Sequence, residues 1–281
     1  MSERILLLVD GTGLAYRAFY AIQGLSTTDG RPTNAVFGFI RMLRQLERVW
    51  RPTHQVVVFD GGLPEARLSR LPTYKAQRKE MPDDLRRQFE PIETYLDESR
   101  IARLRLQGEE ADDVLATLTT QARQAGASVL IATSDKDMYQ LVDEQVAVVA
   151  PSKTVTRMGP REVQEKTGVV PSQIVEWQAL TGDTVDNIPG VPGIGPKTAA
   201  KLLQEYRSLA NLWEQFAHIP DGRLKTLLQD HRERVVRNLE LMRLRCDMPV
   251  TLDWAKMAVP SATPAPSSSA VLQQLEFHSL Q

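Results

Sequence analysis

Cysteine is nearly missing from this sequence. The single Cys246 among 281 residues excludes an internal disulfide, so the fold must be held by packing. Histidine is also sparse: His54, His218, His231 and His278 are scattered without zinc-like spacing, which points to surface or packing roles. No apolar run approaches the roughly 18 residues of a membrane span. The opening MSERILLLVD has neither the long apolar core nor the small-residue cleavage site of a signal peptide, so a cytoplasmic protein without membrane contact is expected. Net charge is almost absent as well, with 34 basic residues against 35 acidic ones, a balance of −1. That balance informs only when it is divided by location. Hydrophobic content of 42% and charged content of 25% are ordinary for a globular chain long enough to bury a sizeable core.

What is present begins with three apolar runs, each closed by acid. ILLLVD ends in Asp10, QVVVFD ends in Asp60, and SVLIATSDKD runs from Val129 through Ala132 into Asp135 and Asp137. Near-continuous apolar runs separated by helical segments suit parallel strands covered on both faces. In such sheets the functional crevice lies beyond the carboxyl ends of the strands. An aspartate after a strand is often just a turn former or helix cap. Three strands that all end this way bring Asp10, Asp60, Asp135 and Asp137 to one edge. Gathered carboxylates repel and raise one another's pKa, so the cluster calls for divalent metal, and hard oxygen donors favour Mg²⁺ or Mn²⁺.

Other stretches add to this edge. GTGLAYRAFYAI predicts a helix after the first strand, in which Tyr16 and Phe19 either pack in the core or stack on a base. NAVFGFIRMLRQLERVW, 34 to 50, predicts a scaffold helix. GEEADDVLATLTTQARQAG predicts an amphipathic helix with four acids in five residues at its start, more than the helix dipole requires. Glu110 and Asp113 would share a face there at i,i+3. Between Asp60 and the helix near LRRQFEPIETYL, at 61 to 87, lies a long segment rich in Arg, Lys and Pro, read as a mobile cationic clamp and not an ordinary surface connection.

Beyond Pro151 the pattern becomes helical and loop-punctuated. In DTVDNIPGVPGIGPKTAAKLL, Asp183 and Asp186 add a second acid pair. Gly190, Gly193 and Gly195 allow a tight hairpin whose N–H groups approach phosphates, with Pro196 and Lys197 opening the next helix. These glycines follow a helix and not a strand, so a dinucleotide site fails its context test. The pattern is instead that of a helix-hairpin-helix, a sequence-independent grip on the nucleic-acid backbone. The Pro/Ser/Ala-rich stretch 258–269 reads as a linker, and the last residues as a short docking helix.

Taken in order, LLVDG…LAYRAF, VVFD, YKAQR, EEADDVLA, TSDKDMYQL, TGDTVDNIPGVPGIGPKTA and LEFHSL resemble the 5′-nuclease domain of bacterial DNA polymerase I, in the flap-endonuclease family. The resemblance implies a PIN-like parallel β-sheet flanked by helices, with a helical arch and a helix-three-turn-helix DNA-binding lobe. The catalytic domain would be 1–170 with the arch at 64–87, the DNA-binding lobe 171–257, and a linker and C-terminal segment 258–281. It implies two Mg²⁺ or Mn²⁺ ions, one among Asp10, Asp60, Glu110, Asp112 and Asp113, the other toward Asp135, Asp137, Asp183 and Asp186. Lys75 would contact the scissile phosphate and Arg78 stabilise its developing charge, with Arg67, Tyr74 and Tyr16 beside the DNA. Gly190, Gly193, Gly195 and Lys197 would hold the duplex, with a K⁺ at the hairpin. If these nine acids are neutralised by metal, the rest of the chain carries about +8, which suits a polyanionic partner.

Glu109 stands where an aromatic is common in the family, while the TGDxxD pair absent from one small free-standing subfamily is kept. The expected function is 5′-3′ exonuclease and 5′-flap endonuclease action in DNA replication and repair. The expected setting is a monomer, cytoplasmic and nucleoid-associated, linked to a polymerase and a ligase. Two readings compete: a flap-binding protein that cuts poorly, and a PIN-like ribonuclease.

Overall fold

The computed structural model describes residues 4–151, 156–260 and 269–280. Five parallel strands, β1 (Ile5–Asp10), β2 (His54–Phe59), β3 (Ala102–Arg105), β4 (Ser128–Ala132) and β5 (Val146–Val149), form a sheet closed by the short antiparallel β6 (Arg157–Met158), in the order β3-β2-β1-β4-β5-β6. Leu6, Leu7, Leu8 and Val9 are all fully buried although they alternate in direction. Leu6, Leu8, Val56, Val58, Val129 and Ile131 belong to one core, and Leu7, Val9, Val57, Phe59, Leu130 and Ala132 to the other. Burial on both faces is why these strands read as unbroken apolar runs.

Helices cover both faces. α1 (Gly11–Ala21), α2 (Asn34–Trp50) and α5 (Phe89–Glu98) pack on the second core, and α6 (Ala111–Gln124) on the first. Two short helices, α3 (Glu65–Arg70) and α4 (Asp83–Arg86), and the turns between them make up the arch segment. The second half of the chain is helical: α7 (Pro160–Thr167), α8 (Ile174–Thr181), α9 (Pro196–Tyr206), α10 (Leu209–Glu214), α11 (Arg223–Asp230) and α12 (Arg232–Met242). Between α8 and α9 a small hairpin pairs β7 (Gly182–Asp183) with β8 (Ile188–Pro189).

After α13 (Trp254–Met257) the linker stretch 261–268 lies outside the described residues. The chain then returns to the second core as α14 (Ala270–Gln274), the short docking helix expected there. Phe277 meets Phe37 edge-on at 5.3 Å between ring centroids, and the Thr28 hydroxyl donates to Glu276 (2.7 Å). Among the described residues, no helix is long and apolar enough to cross a membrane.

Candidate active site

Strand order decides where the acids meet. β1 lies between β2 and β4, with Asp10 opposite Val58 and Val9 opposite Ala132, so the residues just beyond all three strands end together. Asp10 caps α1 by accepting from the Gly13 N–H (2.7 Å), and its other oxygen accepts from the Thr133 hydroxyl (2.9 Å). Asp60 accepts from the Ala111 N–H (2.9 Å), which ties the start of α6 to the end of β2. Asp135 accepts from the Asp137 N–H (2.8 Å). The capping role and the site role therefore coexist, because each carboxylate oxygen has more than one lone pair and a single accepted bond leaves another available.

Asp10, Asp60, Asp112 and Asp135 line one cleft of about 530 Å³, and Lys75, Arg78 and Lys79 line the same cleft. Tyr16 and Tyr20 stand at the same cleft, Tyr20 with 64% of its surface exposed. A larger cleft of about 810 Å³ lies among α4, α5, α14 and the stretch from Gly24 to Asn34, but it gathers no comparable acid cluster.

Charge divides the nine acids into two groups. Arg67 bridges Glu110 and Asp113, and Lys75 pairs with Glu110 and stands 3.5 Å from Asp186. Arg78 is 3.7 Å from Asp186, and Lys136 is 3.0 Å from Asp183. Among the described residues, Asp10, Asp60, Asp112, Asp135 and Asp137 have no such cation. Burial, with the charges of Asp60 and Asp135 added, pushes the Asp10 carboxyl up to about 6. Asp112 is raised by burial and then by Asp135 and Asp10, and Asp137 by burial and then by Asp135 and Asp183. Glu110 moves the other way: burial would raise it, but Lys75 and Arg67 together hold it below the usual carboxylate range.

This pattern tests whether metal fits. The donors are hard carboxylate oxygens, and four acids without a paired cation line one cleft, with Asp137 two residues on from Asp135, which is the electrostatic demand a divalent cation meets. As the side chains stand, no three His, Cys, Asp or Glu residues among those described converge closely enough to hold one ion. The protein's own cations occupy Glu110, Asp183 and Asp186, so those acids become available only when Lys75, Lys136 and Arg78 move off.

Two expectations are corrected by this geometry. The segment 61–87, read as a mobile cationic clamp, is packed down in part, since Arg67, Tyr74 and Lys75 are buried while Arg78 is half-exposed. Tyr74 donates its hydroxyl to Glu110 (3.0 Å), and the Lys75 backbone N–H donates to the Asp186 carbonyl (2.9 Å), locking the segment down on both halves of the chain. Asp113 is the second correction. It is 0% exposed and does not line the cleft. Its carboxylate accepts two bonds from Arg67 (2.7 and 2.8 Å) and one from the Arg245 N–H (2.9 Å), which fills it with structural partners.

The glycine hairpin is built for close approach. Gly193 has φ +82°, and a Cβ on Gly190 would lie 2.3 Å from the Thr181 backbone. Gly195 is extended with open space around it, so it needs no glycine for conformation. Lys197 is exposed in the first turn of α9. Sequence reasoning missed Thr133, Lys136, Tyr20 and Gln178. The hydroxyl and lysine sit inside TSDKD and were visible beside the acids, whereas Gln178 lies among apolar residues of α8 and gave no signal.

Residues 5–168 match the family described as the 5′-3′ exonuclease N-terminal resolvase-like domain, and residues 169–265 match the 5′-3′ exonuclease C-terminal SAM fold. The chain is 41% identical over 98% of its length to a thermostable DNA polymerase I of Thermus thermophilus, and 41% identical over 98% to DNA polymerase I of Deinococcus radiodurans. It spans only 32% and 29% of those relatives. Among solved structures it resembles the bacteriophage T5 flap endonuclease in a pseudo-enzyme-product complex with DNA and metal ions, with TM-score 0.72, 26% identity, and coverage of 86% of this chain and 89% of that one.

Proposed function

The chain belongs to the 5′-3′ exonuclease family, and from that premise we propose that it is a structure-selective 5′-3′ exonuclease and 5′-flap endonuclease that hydrolyses DNA phosphodiester bonds. The observation that carries this reading is the cleft at the ends of β1, β2 and β4, lined both by the unpaired acids Asp10, Asp60, Asp112 and Asp135 and by the cations Lys75, Arg78 and Lys79. A phosphodiester in this cleft would meet cations for its phosphate oxygens and carboxylates that can hold metal beside it.

Two divalent cations, Mg²⁺ or Mn²⁺, would supply activation of the water and stabilisation of the leaving 3′-oxygen. Asp10, Asp60, Asp112, Asp135 and Asp137 would hold them, joined by Glu110, Asp183 and Asp186 once these exchange the protein's cations for metal. Lys75 and Arg78, displaced from Glu110 and Asp186, are then free to stabilise charge on the scissile phosphate. Asp113 serves the set indirectly by fixing Arg67 at the base of the arch. Tyr16 borders the strand, Tyr74 reaches it only when its segment lifts from Glu110, and the Gly190–Gly195 hairpin with Lys197 grips the duplex backbone without reading bases. The K⁺ implied at this hairpin fits less well: the Gly190 carbonyl already accepts from Arg234 (3.0 Å). No step is assigned to it.

A 3′-hydroxyl and a 5′-phosphate are the products, the ends a ligase joins, which suits primer removal and repair beside a polymerase. We take the protein to act as a monomer on cytoplasmic, nucleoid-associated DNA. The test is a 5′-flap duplex with and without Mg²⁺, beside an Asp135→Asn variant. Cleavage near the flap junction that needs Mg²⁺, and that the variant abolishes while binding persists, is the expected result. Tight flap binding with no cutting in Mg²⁺ or Mn²⁺ would leave a binding module in its place, and preference for a matched RNA flap would favour the ribonuclease.

A further inference from the structure

Gln178 is the residue in α8 that a core position does not explain. It is 0% exposed, alongside the buried Ile174, Ala179 and Leu180 of the same helix. Its Nε2 donates to Asp137 Oδ1, while its Oε1 is buried with no hydrogen-bond partner. An acceptor buried without a donor is costly, so an apolar side chain of the same length would suit this interior better. Among the described residues, the bond from its side chain goes to Asp137, two residues on from the cleft-lining Asp135.

We propose that Gln178 is a positioning residue for cation binding, fixing the rotamer of Asp137 so that its second oxygen points to the ion and not into the helix. The inference rests on the nuclease reading. Asp137 sits in the short helical turn after β4, and its N–H donates to Asp135 Oδ1 (2.8 Å), so holding Asp137 also steadies Asp135. Gln178 lies four residues before Gly182, on the helix that leads directly into Asp183. One side chain thereby sets the acids that follow β4 in register with those that follow α8, and these two groups come from the two separately matched parts of the chain. Groups that hydrogen-bond a ligand from behind determine its orientation and basicity.

The geometry makes stability and function move in opposite directions, which a packing role would not do. Gln178→Met keeps the length and removes both polar atoms. In EDTA the full-length variant should melt at or above the wild-type temperature. Its affinity for Mn²⁺, measured by calorimetry without DNA, should fall about 10-fold or more. The Mg²⁺ concentration for half-maximal flap cleavage should rise by a similar factor, with the rate at saturating Mg²⁺ close to wild type. In an Asp137→Asn background the same substitution should shift the Mn²⁺ titration no further. Mn²⁺ and Mg²⁺ titrations that superimpose on wild type overturn the proposal whatever the melting temperature, as does an undiminished shift in the Asp137→Asn background. A wild-type chain that neither binds Mn²⁺ nor cleaves in Mg²⁺ overturns the nuclease reading and this inference with it. A wild type that does both beside an indistinguishable variant overturns this inference alone.

Discussion

Replacing Arg67 by alanine separates a structural cation from a DNA-binding one. Arg67 donates to Glu110, twice to Asp113, and to the carbonyls of Leu241 (3.2 Å) and Arg243 (3.4 Å). Its side chain is 8% exposed and those of its acid partners 4% and 0%. Five hydrogen bonds from a charged donor would sum to more than the protein can lose, but such contributions are not additive. The relevant comparison is removal of one member of a buried ion pair, which costs about 3–5 kcal/mol because the other charge stays buried. Among the described residues, Asp113 keeps only the Arg245 N–H, and Glu110 keeps Lys75 and Tyr74. At roughly 2–4 °C per kcal/mol for a chain of this size, thermal unfolding should fall by about 10 °C. Differential scanning calorimetry of Arg67→Ala, Asp113→Asn and the double variant reads this directly. The double variant should be more stable than the sum of the two losses predicts, since each single change orphans the other partner. Unchanged melting in Arg67→Ala, with flap affinity lost, would refute the reasoning and return Arg67 to the DNA contacts.

Three further outcomes follow from the packing. Gly190→Ala places a Cβ 2.3 Å from the Thr181 backbone, and Asn238 holds both sides by donating to the Ala179 (3.0 Å) and Pro189 (2.9 Å) carbonyls. A loss of about 2 kcal/mol or more is expected, with weaker duplex binding in a fluorescence-anisotropy titration. Phe277→Ala removes a ring that is 4% exposed and packed on Phe37, and should cost about 3 kcal/mol by urea unfolding. The Glu47 carboxyl is raised by burial, against smaller opposing effects of Gln55 and Arg44. A raised folded-state pKa stabilises most below the unfolded value near 4.5 and loses that contribution as pH rises through the folded value. Glu47→Gln should therefore gain stability over wild type at pH 7 and show little difference at pH 4, by melting at both.

The acid cluster was legible because each part of it obeys a local rule. A parallel strand buried on both faces must be apolar throughout, so its end is marked by the first polar residues: Asp10 and Asp60 stand at those marks, and Asp135 follows Thr133 and Ser134 after β4. Helix starts at Asp10, at Glu110 and at Pro196 were readable from caps and first-turn residues for the same reason. Strands β3 and β5 were less readable, since ARLR alternates at an exposed edge, with Arg103 and Arg105 paired to Glu93 and Asp97, and VAVV is only four residues long.

The sequence by itself determined the parallel sheet, the gathering of carboxylates at one end of it, and the glycine hairpin, since strand burial, strand-end polarity and backbone freedom are properties of neighbouring residues. Only the tertiary structure decided which charge faces which. Nothing in the sequence separates Asp112, which lines the cleft, from Asp113 beside it, which is filled by Arg67 and the Arg245 backbone. Nor does YKAQR disclose that Lys75 is buried against Glu110. Charge pairing in a folded protein is a long-range choice among many nearly equal partners, and burial, which removes the screening of water, makes that choice final.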